Sequence, residues 1–198
     1  MDDFKCEVPD GRAGKWAVQT FTVSEDQARM ENMRHLFAGA GWAAVSPGTY
    51  KRLTCPGGVM MSNTPMELRT NLWIIRKARG RVLINGLGLG CVLTAILKKK
   101  EVKEVWIVEK EQEVIDLVWP TFASDPRCKL VHADALEYRP PKGERFDVVW
   151  HDIWLTICED NLEQMKKLHR RYGRLCDEQA SWSRDVLEAQ RARERRYY

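Results

Sequence analysis

Four short apolar runs in this sequence each stop at glycine or acidic residues whose types suit the binding of a nucleoside. Gly86, Gly88 and Gly90 alternate after Val82-Leu83-Ile84, and Glu109 ends Val105–Val108. Asp134 and Ala135 follow Leu130-Val131-His132, and His151-Asp152 closes Phe146–Trp150. Glycines let a backbone turn tightly and approach a ligand where any Cβ would collide. A carboxylate at a strand tip about twenty residues beyond such a turn can accept both hydroxyl protons of a ribose. The G-x-G-x-G spacing, with Cys91 next, is tighter than the G-x-G-x-x-G of dinucleotide sites and fits a ligand without a pyrophosphate. The helical pattern Cys91–Leu97 then points its first amides into the turn.

Each chemical reading has a plainer one beside it. Glu109 also suits an acid opposing the dipole of a helix over Glu111–Trp119. Asp152 either caps the turn after its strand or acts as a general base. His151 either orients substrate and shuttles protons, since its ordinary pKa lies near neutrality, or serves as hydrogen-bonded structure. Trp150 and Trp154 bracket this pair, and an indole face can stack on adenine or hold a cationic amine. Trp154 is the better candidate for substrate, because Trp150 belongs to the strand and is expected to bury with it. Trp73, Trp106 and Trp119 read as packing residues.

For these groups to meet, their strands must run parallel side by side, because in an open α/β sheet the ligand crevice lies beyond the carboxyl ends. The fold class is therefore α/β with a Rossmann-like sheet of four or five strands, with Arg174–Cys176 the candidate fifth. Asp160-Asn161-Leu162-Glu163 reads as a capping box opening a helix with the stripe Leu162, Met165, Leu168, Tyr172, closed by Gly173. Asp185–Arg196 reads as a charged helix.

Residues 1–64 read as a separate N-terminal module and residues 65–198 as the nucleoside-binding part. Trp16–Val23 is a predicted strand, and Ser24-Glu25-Asp26-Gln27 a capping box opening a helix that ends near Gly39 or Gly41. Tyr50–Thr54 and Val59–Met61 form a predicted hairpin through Pro56-Gly57-Gly58. Its apolar edge near Val59–Met61 offers a surface for homodimer pairing. Thr64 and Pro65 mark the start of a helix running to about Arg79.

As a set, Gly86-Leu87-Gly88-Leu89-Gly90, Glu109, Asp134-Ala135 and Phe146–Asp152 resemble the motifs of the class I S-adenosylmethionine-dependent methyltransferases, and within them the spermidine-synthase-like branch. The resemblance covers roughly Arg81–Ile157. It implies that the glycine turn, with Asn85 before it, holds the methionine part of S-adenosylmethionine. Glu109 then binds the ribose, with the adjacent Lys110 also among the cofactor-binding residues, Asp134 and Ala135 read the adenine, and Asp152 is the general base, with His151 beside it. Asn85 stands where many of these methyltransferases have an acid. A full sheet in this class has seven strands, so this one is expected to be truncated. The N-terminal module is similar to the β part that lies over the pocket in spermidine synthases.

The resemblance implies three functions in order of preference. The first is methyl transfer to an unidentified acceptor, most simply a small molecule. The second is aminopropyl transfer to a polyamine, although the glutamine and acidic patch expected on the hairpin are not evident at Met60–Glu67. The third is a nucleoside-binding or interaction protein of the same fold without turnover. The Asn-Pro-Pro-Tyr turn of many amino-methylating enzymes acting on DNA bases is replaced by His151-Asp152-Ile153-Trp154, which disfavours that substrate class.

Composition narrows the field further. The 198 residues are 44% hydrophobic and 30% charged, with a net charge of +4, too mild to argue for nucleic acid. The basic stretches His169-Arg170-Arg171 and Arg191–Arg196 are interleaved or followed by acids and read as self-paired helix faces. Six cysteines lack a C-x-x-C pair and four histidines are scattered, so no metal site is expected and the thiols read as reduced. No apolar run matches a bilayer, and Met1–Lys5 lacks an export pattern, so a cytoplasmic protein without a membrane partner is expected.

Overall fold

The computed structural model describes residues 6–37 and 44–195. Two sheets make up the architecture. The first is antiparallel, in the order β1 (Gly11–Ala13), β2 (Trp16–Val23), β3 (Gly48–Cys55), β4 (Gly58–Ser62). Helix α1 (Glu25–Phe37) joins β2 to the second pair of strands. Its capping box forms as expected, with Ser24 N–H donating to Gln27 Oε1 at 2.9 Å and Gln27 N–H to Ser24 Oγ at 3.2 Å. The expected helix end near Gly39 or Gly41 lies outside the described residues, as do Met1–Lys5 and Arg196.

The segment after the hairpin is two helices rather than the single one expected: α2 (Pro65–Thr70) and α3 (Leu72–Lys77). The Thr70 hydroxyl and the Asn71 amide both donate to the Glu67 carbonyl, at 2.6 and 3.2 Å. Such side chains offer the backbone an alternative to the helical ladder, and the helix breaks there. Pro65 occupies the first turn as predicted, but Thr64 makes no side-chain cap bond.

The second sheet has five parallel strands: β5 (Gly80–Asn85), β6 (Val102–Glu109), β7 (Cys128–His132), β8 (Phe146–His151) and β9 (Cys176–Ser181). Their order is β7-β6-β5-β8-β9, so the chain reverses direction across the sheet between β5 and β8. This is a doubly wound Rossmann-like order, of five strands among the described residues, with its switch point between those two strands. Helices α4 (Cys91–Leu97), α5 (Gln112–Val118), α6 (Asp160–Tyr172) and α7 (Arg184–Glu194) complete the chain, with a short 3-10 turn at Trp119–Thr121 after α5.

Val82, Leu83 and Ile84 of central β5 are all buried, as a strand covered on both faces requires. Each such side chain contributes about 1.5–3 kcal/mol relative to exposure. The α6 stripe Leu162, Met165, Leu168, Tyr172 is buried as read from its spacing, but the second capping box is not formed. Glu159, not Asp160, precedes the helix, and it makes no side-chain cap bond. Strand β9 starts at Cys176 rather than spanning Arg174–Cys176. It is an edge strand of polar sequence, and Lys77 and Arg79 both reach its Glu178 at 2.7 Å.

All six cysteines are free thiols. Among the described residues, no cluster of three or more potential metal ligands occurs, and no helix is long and apolar enough to cross a membrane.

Candidate functional site

The carboxyl ends of the parallel strands are locked level by a ladder that continues one residue past each. Gly86 N–H donates to Val108 O at 2.8 Å, Ala133 N–H to Glu109 O at 2.9 Å, and Asp152 N–H to Asn85 O at 2.9 Å. Trp182 N–H likewise donates to His151 O at 2.9 Å. The residues following β5, β6, β7, β8 and β9 therefore share one rim, and a cavity of about 280 Å³ opens there.

Of the predicted residues, Gly86, Leu87, Gly88, Glu109, Lys110, Asp134, Ala135, Asp152 and Trp154 all line this cavity. Asn85, Gly90 and His151 do not. Asn85 and His151 are both 0% exposed and meet each other beneath the rim, with Asn85 Nδ2 at 2.7 Å from His151 Nδ1. The Gln179 amide donates to His169 O at 3.0 Å, which leaves its oxygen facing His151 Nε2 at 3.2 Å. Hence Nε2 carries the ring proton and Nδ1 accepts from Asn85. Burial lowers the His151 pKa to about 3, so the ring is neutral and structural rather than a catalytic group at the cavity. Gly90 adopts a left-handed conformation before α4, and a Cβ there would lie 2.4 Å from the Phe122 ring. That glycine serves packing.

The glycine turn is also closely contacted by the N-terminal hairpin. Leu89 N–H is directed at the Met61 thioether, 2.9 Å away, not into the cavity. A Cβ on Gly88 would lie 2.3 Å from that same sulfur. The first residues of α4, Cys91, Val92 and Leu93, line the cavity.

Glu109 is 8% exposed and accepts three backbone N–H groups: Leu87 on Oε2 at 2.9 Å, Lys110 and Glu111 on Oε1 at 2.8 and 2.9 Å. A carboxylate has about four lone-pair sites. Glu109 therefore ties the glycine turn to the tip of β6 and keeps limited capacity for a hydroxyl donor. Asp134 Oδ1 accepts Leu136 N–H at 2.7 Å, while Oδ2 has no partner among the described residues.

At the other end, the cavity is walled by Glu67, Trp150, Trp16, Asn71 and Trp182, of which the last three carried no sequence signal for this place. The Glu67 carboxylate accepts the Ser62 hydroxyl at 2.7 Å and the Ser62 N–H, yet burial raises its pKa. Burial first, then the charge of Glu67, pushes Asp152 up to about 7. Among the described residues, the Trp16 indole N–H and the Asn71 side-chain oxygen are buried without a hydrogen-bond partner. Trp150 is nearly fully buried and stacks on Trp73 at 5.8 Å, so Trp150 and Trp154 both face the cavity, Trp154 braced by donation to Gln164 at 2.7 Å. Trp182 follows β9 directly, so its place on the rim becomes readable once that strand is located.

No protein-family model matches the chain. Over 75 residues it is 36% identical to a polyamine aminopropyltransferase of Thermococcus onnurineus, a match covering 35% of this chain and 27% of that protein. The methyltransferase CcbJ of Streptomyces caelestis is 20% identical in a superposition covering 55% of this chain and 44% of its own, with a TM-score of 0.43. The N-methyltransferase NodS of Bradyrhizobium japonicum is 16% identical, covering 56% and 58%, with a TM-score of 0.43. This chain thus spans about a quarter of the curated relative's length and roughly half of each solved chain. By strand order the five-stranded parallel sheet is Rossmann-like.

Proposed function

We propose that the chain binds S-adenosylmethionine and transfers its methyl group to a nucleophile that loses a proton as it attacks, such as an amine. The observation that carries this reading is the shared rim: the glycine turn, Glu109, Asp134 and Asp152 line one cavity at the sheet's switch point. The residues fit a cationic nucleoside. Apolar walls from Ile107, Val108, Ala135 and Leu136 suit a flat base, and the acids suit a positive sulfur.

When bound, S-adenosylmethionine supplies an electrophilic carbon on a sulfonium, with a good leaving group. The protein's task is then alignment and proton removal. Glu109 fixes the glycine turn relative to β6. Asp152, with a pKa of about 7, is poised to accept a proton at its carboxylate near neutral pH. The indoles of Trp150, Trp154 and Trp182 exclude water and present π faces to a cationic acceptor.

Aminopropyl transfer is the second reading, favoured by the charge of the lining. Glu67, Glu109, Glu111, Asp134 and Asp152 line the cavity against a single cation, Lys110. Such a lining disfavours the carboxylate of S-adenosylmethionine relative to its decarboxylated form. Against this, the hairpin covers the cavity with Leu53, Met60 and Met61 rather than polar groups. Product analysis with each cofactor and a panel of amines tests the choice. Formation of S-adenosylhomocysteine supports methyl transfer, methylthioadenosine supports aminopropyl transfer, and binding without either product supports a nucleoside-binding protein.

A further inference from the structure

The basic stretch on α6 contains one side chain that is spent on the cavity's rim rather than on solvent. Arg171 reaches across to the turn following β7 and donates to three of its carbonyls. Nη1 bonds Ala135 O at 2.8 Å and Tyr138 O at 2.9 Å, and Nη2 bonds Leu136 O at 2.5 Å. The carbonyl of one residue and the N–H of the next belong to one rigid plane and point in opposite directions. Holding Ala135 O toward α6 therefore turns Leu136 N–H the other way, where it meets Asp134 Oδ1 at 2.7 Å. Holding Leu136 O does the same for Glu137 N–H, which donates to Asp134 O at 2.9 Å. One guanidinium thus sets two successive peptide planes, and through them the direction of the Asp134 carboxylate.

We propose that Arg171 is a positioning residue for base recognition: it aims Asp134 Oδ2 into the cavity as an acceptor for an exocyclic amino group. This rests on the adenosyl reading of the cavity. The planar fork of arginine reaches carbonyls at fixed angles, whereas a lysine ammonium offers a compact point charge that cannot span the same three. A carboxylate so aimed favours adenine, whose six-position carries an amino donor, over hypoxanthine, whose six-position carries an oxygen.

The test compares calorimetric affinities for S-adenosylhomocysteine and S-inosylhomocysteine in the wild type, Arg171→Lys, Asp134→Asn and the double variant, with thermal melts as a check on folding. The expected result is a preference for the adenosyl ligand that falls roughly tenfold in Arg171→Lys. It falls similarly in Asp134→Asn and no further in the double variant, as expected of residues acting through one contact. Equal weakening of both ligands in Arg171→Lys, with the preference kept, overturns the inference and leaves Arg171 a structural brace. Additive losses in the double variant also overturn it. If the folded wild type binds neither ligand, the adenosyl reading itself fails, an outcome distinct from both.

Discussion

Gly86 lies so close to Asp152 that a Cβ on the glycine would sit 2.0 Å from the Asp152 carbonyl oxygen. The hydrogen bond from Asp152 N–H to Asn85 O fixes that approach, and Gly86 meets it with a φ of +101°. The glycine at the switch point therefore sets how the loops after β5 and β8 abut. Gly86→Ala is expected to destabilise the protein by about 1–3 kcal/mol or more, from backbone strain together with the clash. Gly143→Ala is the control, since Gly143 shares the positive φ but a Cβ there would meet nothing within 4 Å. Urea melts check it: equal losses in the two variants mean that strain alone matters at Gly86.

Asp152 carries a pKa raised from 3.8 to about 7, so the folded state holds its proton where the unfolded chain releases it. Its relative contribution to stability is greatest below pH 4 and is lost as pH rises through 7. Asp152→Asn should thus match the wild type near pH 3 and exceed it near pH 8, by ~4 kcal/mol at most. A stability difference that does not grow with pH contradicts the buried, charge-coupled placement of this carboxyl. The same variant is expected to lose transfer activity by about 100-fold or more.

Glu67 raises the Asp152 pKa through its own charge. Glu67→Gln removes that charge, so the Asp152 pKa falls and the acid limb of the rate profile moves to lower pH. Initial rates across pH 5 to 9 measure it. A limb that stays in place shows that the two carboxyls are not coupled in the folded protein.

His151 is held neutral between Asn85 and Gln179, with its pKa lowered to about 3. Between its unfolded pKa near 6.5 and that value, the unfolded chain binds a proton that the folded protein does not, so stability falls as pH drops. His151→Gln should flatten this acid loss, cost about 1–3 kcal/mol at neutral pH, and leave the acid limb of the rate unmoved. A shifted limb would return His151 to the catalytic set.

The central strands, α4 and the rim acids were legible in the sequence because both signals are local: continuous apolar runs mark β5, β6 and β8, and the informative residue sits immediately after each. Strand β9 was harder. Its sequence Cys-Asp-Glu-Gln-Ala-Ser has no apolar run, because an edge strand keeps one flank open to solvent. Losing it hid Trp182. The roles of Asn85 and His151 were illegible for another reason: rim and core residues adjoin in sequence, and the pleat alone decides which face each takes. Glu67 and Asn71 required the fold of a different segment onto the cavity, and Arg171 looked like any solvated helix charge until the turn it holds was placed.

Calorimetric titration of S-adenosylhomocysteine into the wild type and Glu109→Ala tests most directly whether the rim is a nucleoside site. Glu109 gathers three backbone amides, so its loss both removes a ribose acceptor and frees the glycine turn. A nucleoside site gives saturable binding to the wild type, weakened by about 10- to 100-fold in the folded variant. Absence of heat with the wild type, or equal affinity in both proteins, would contradict it.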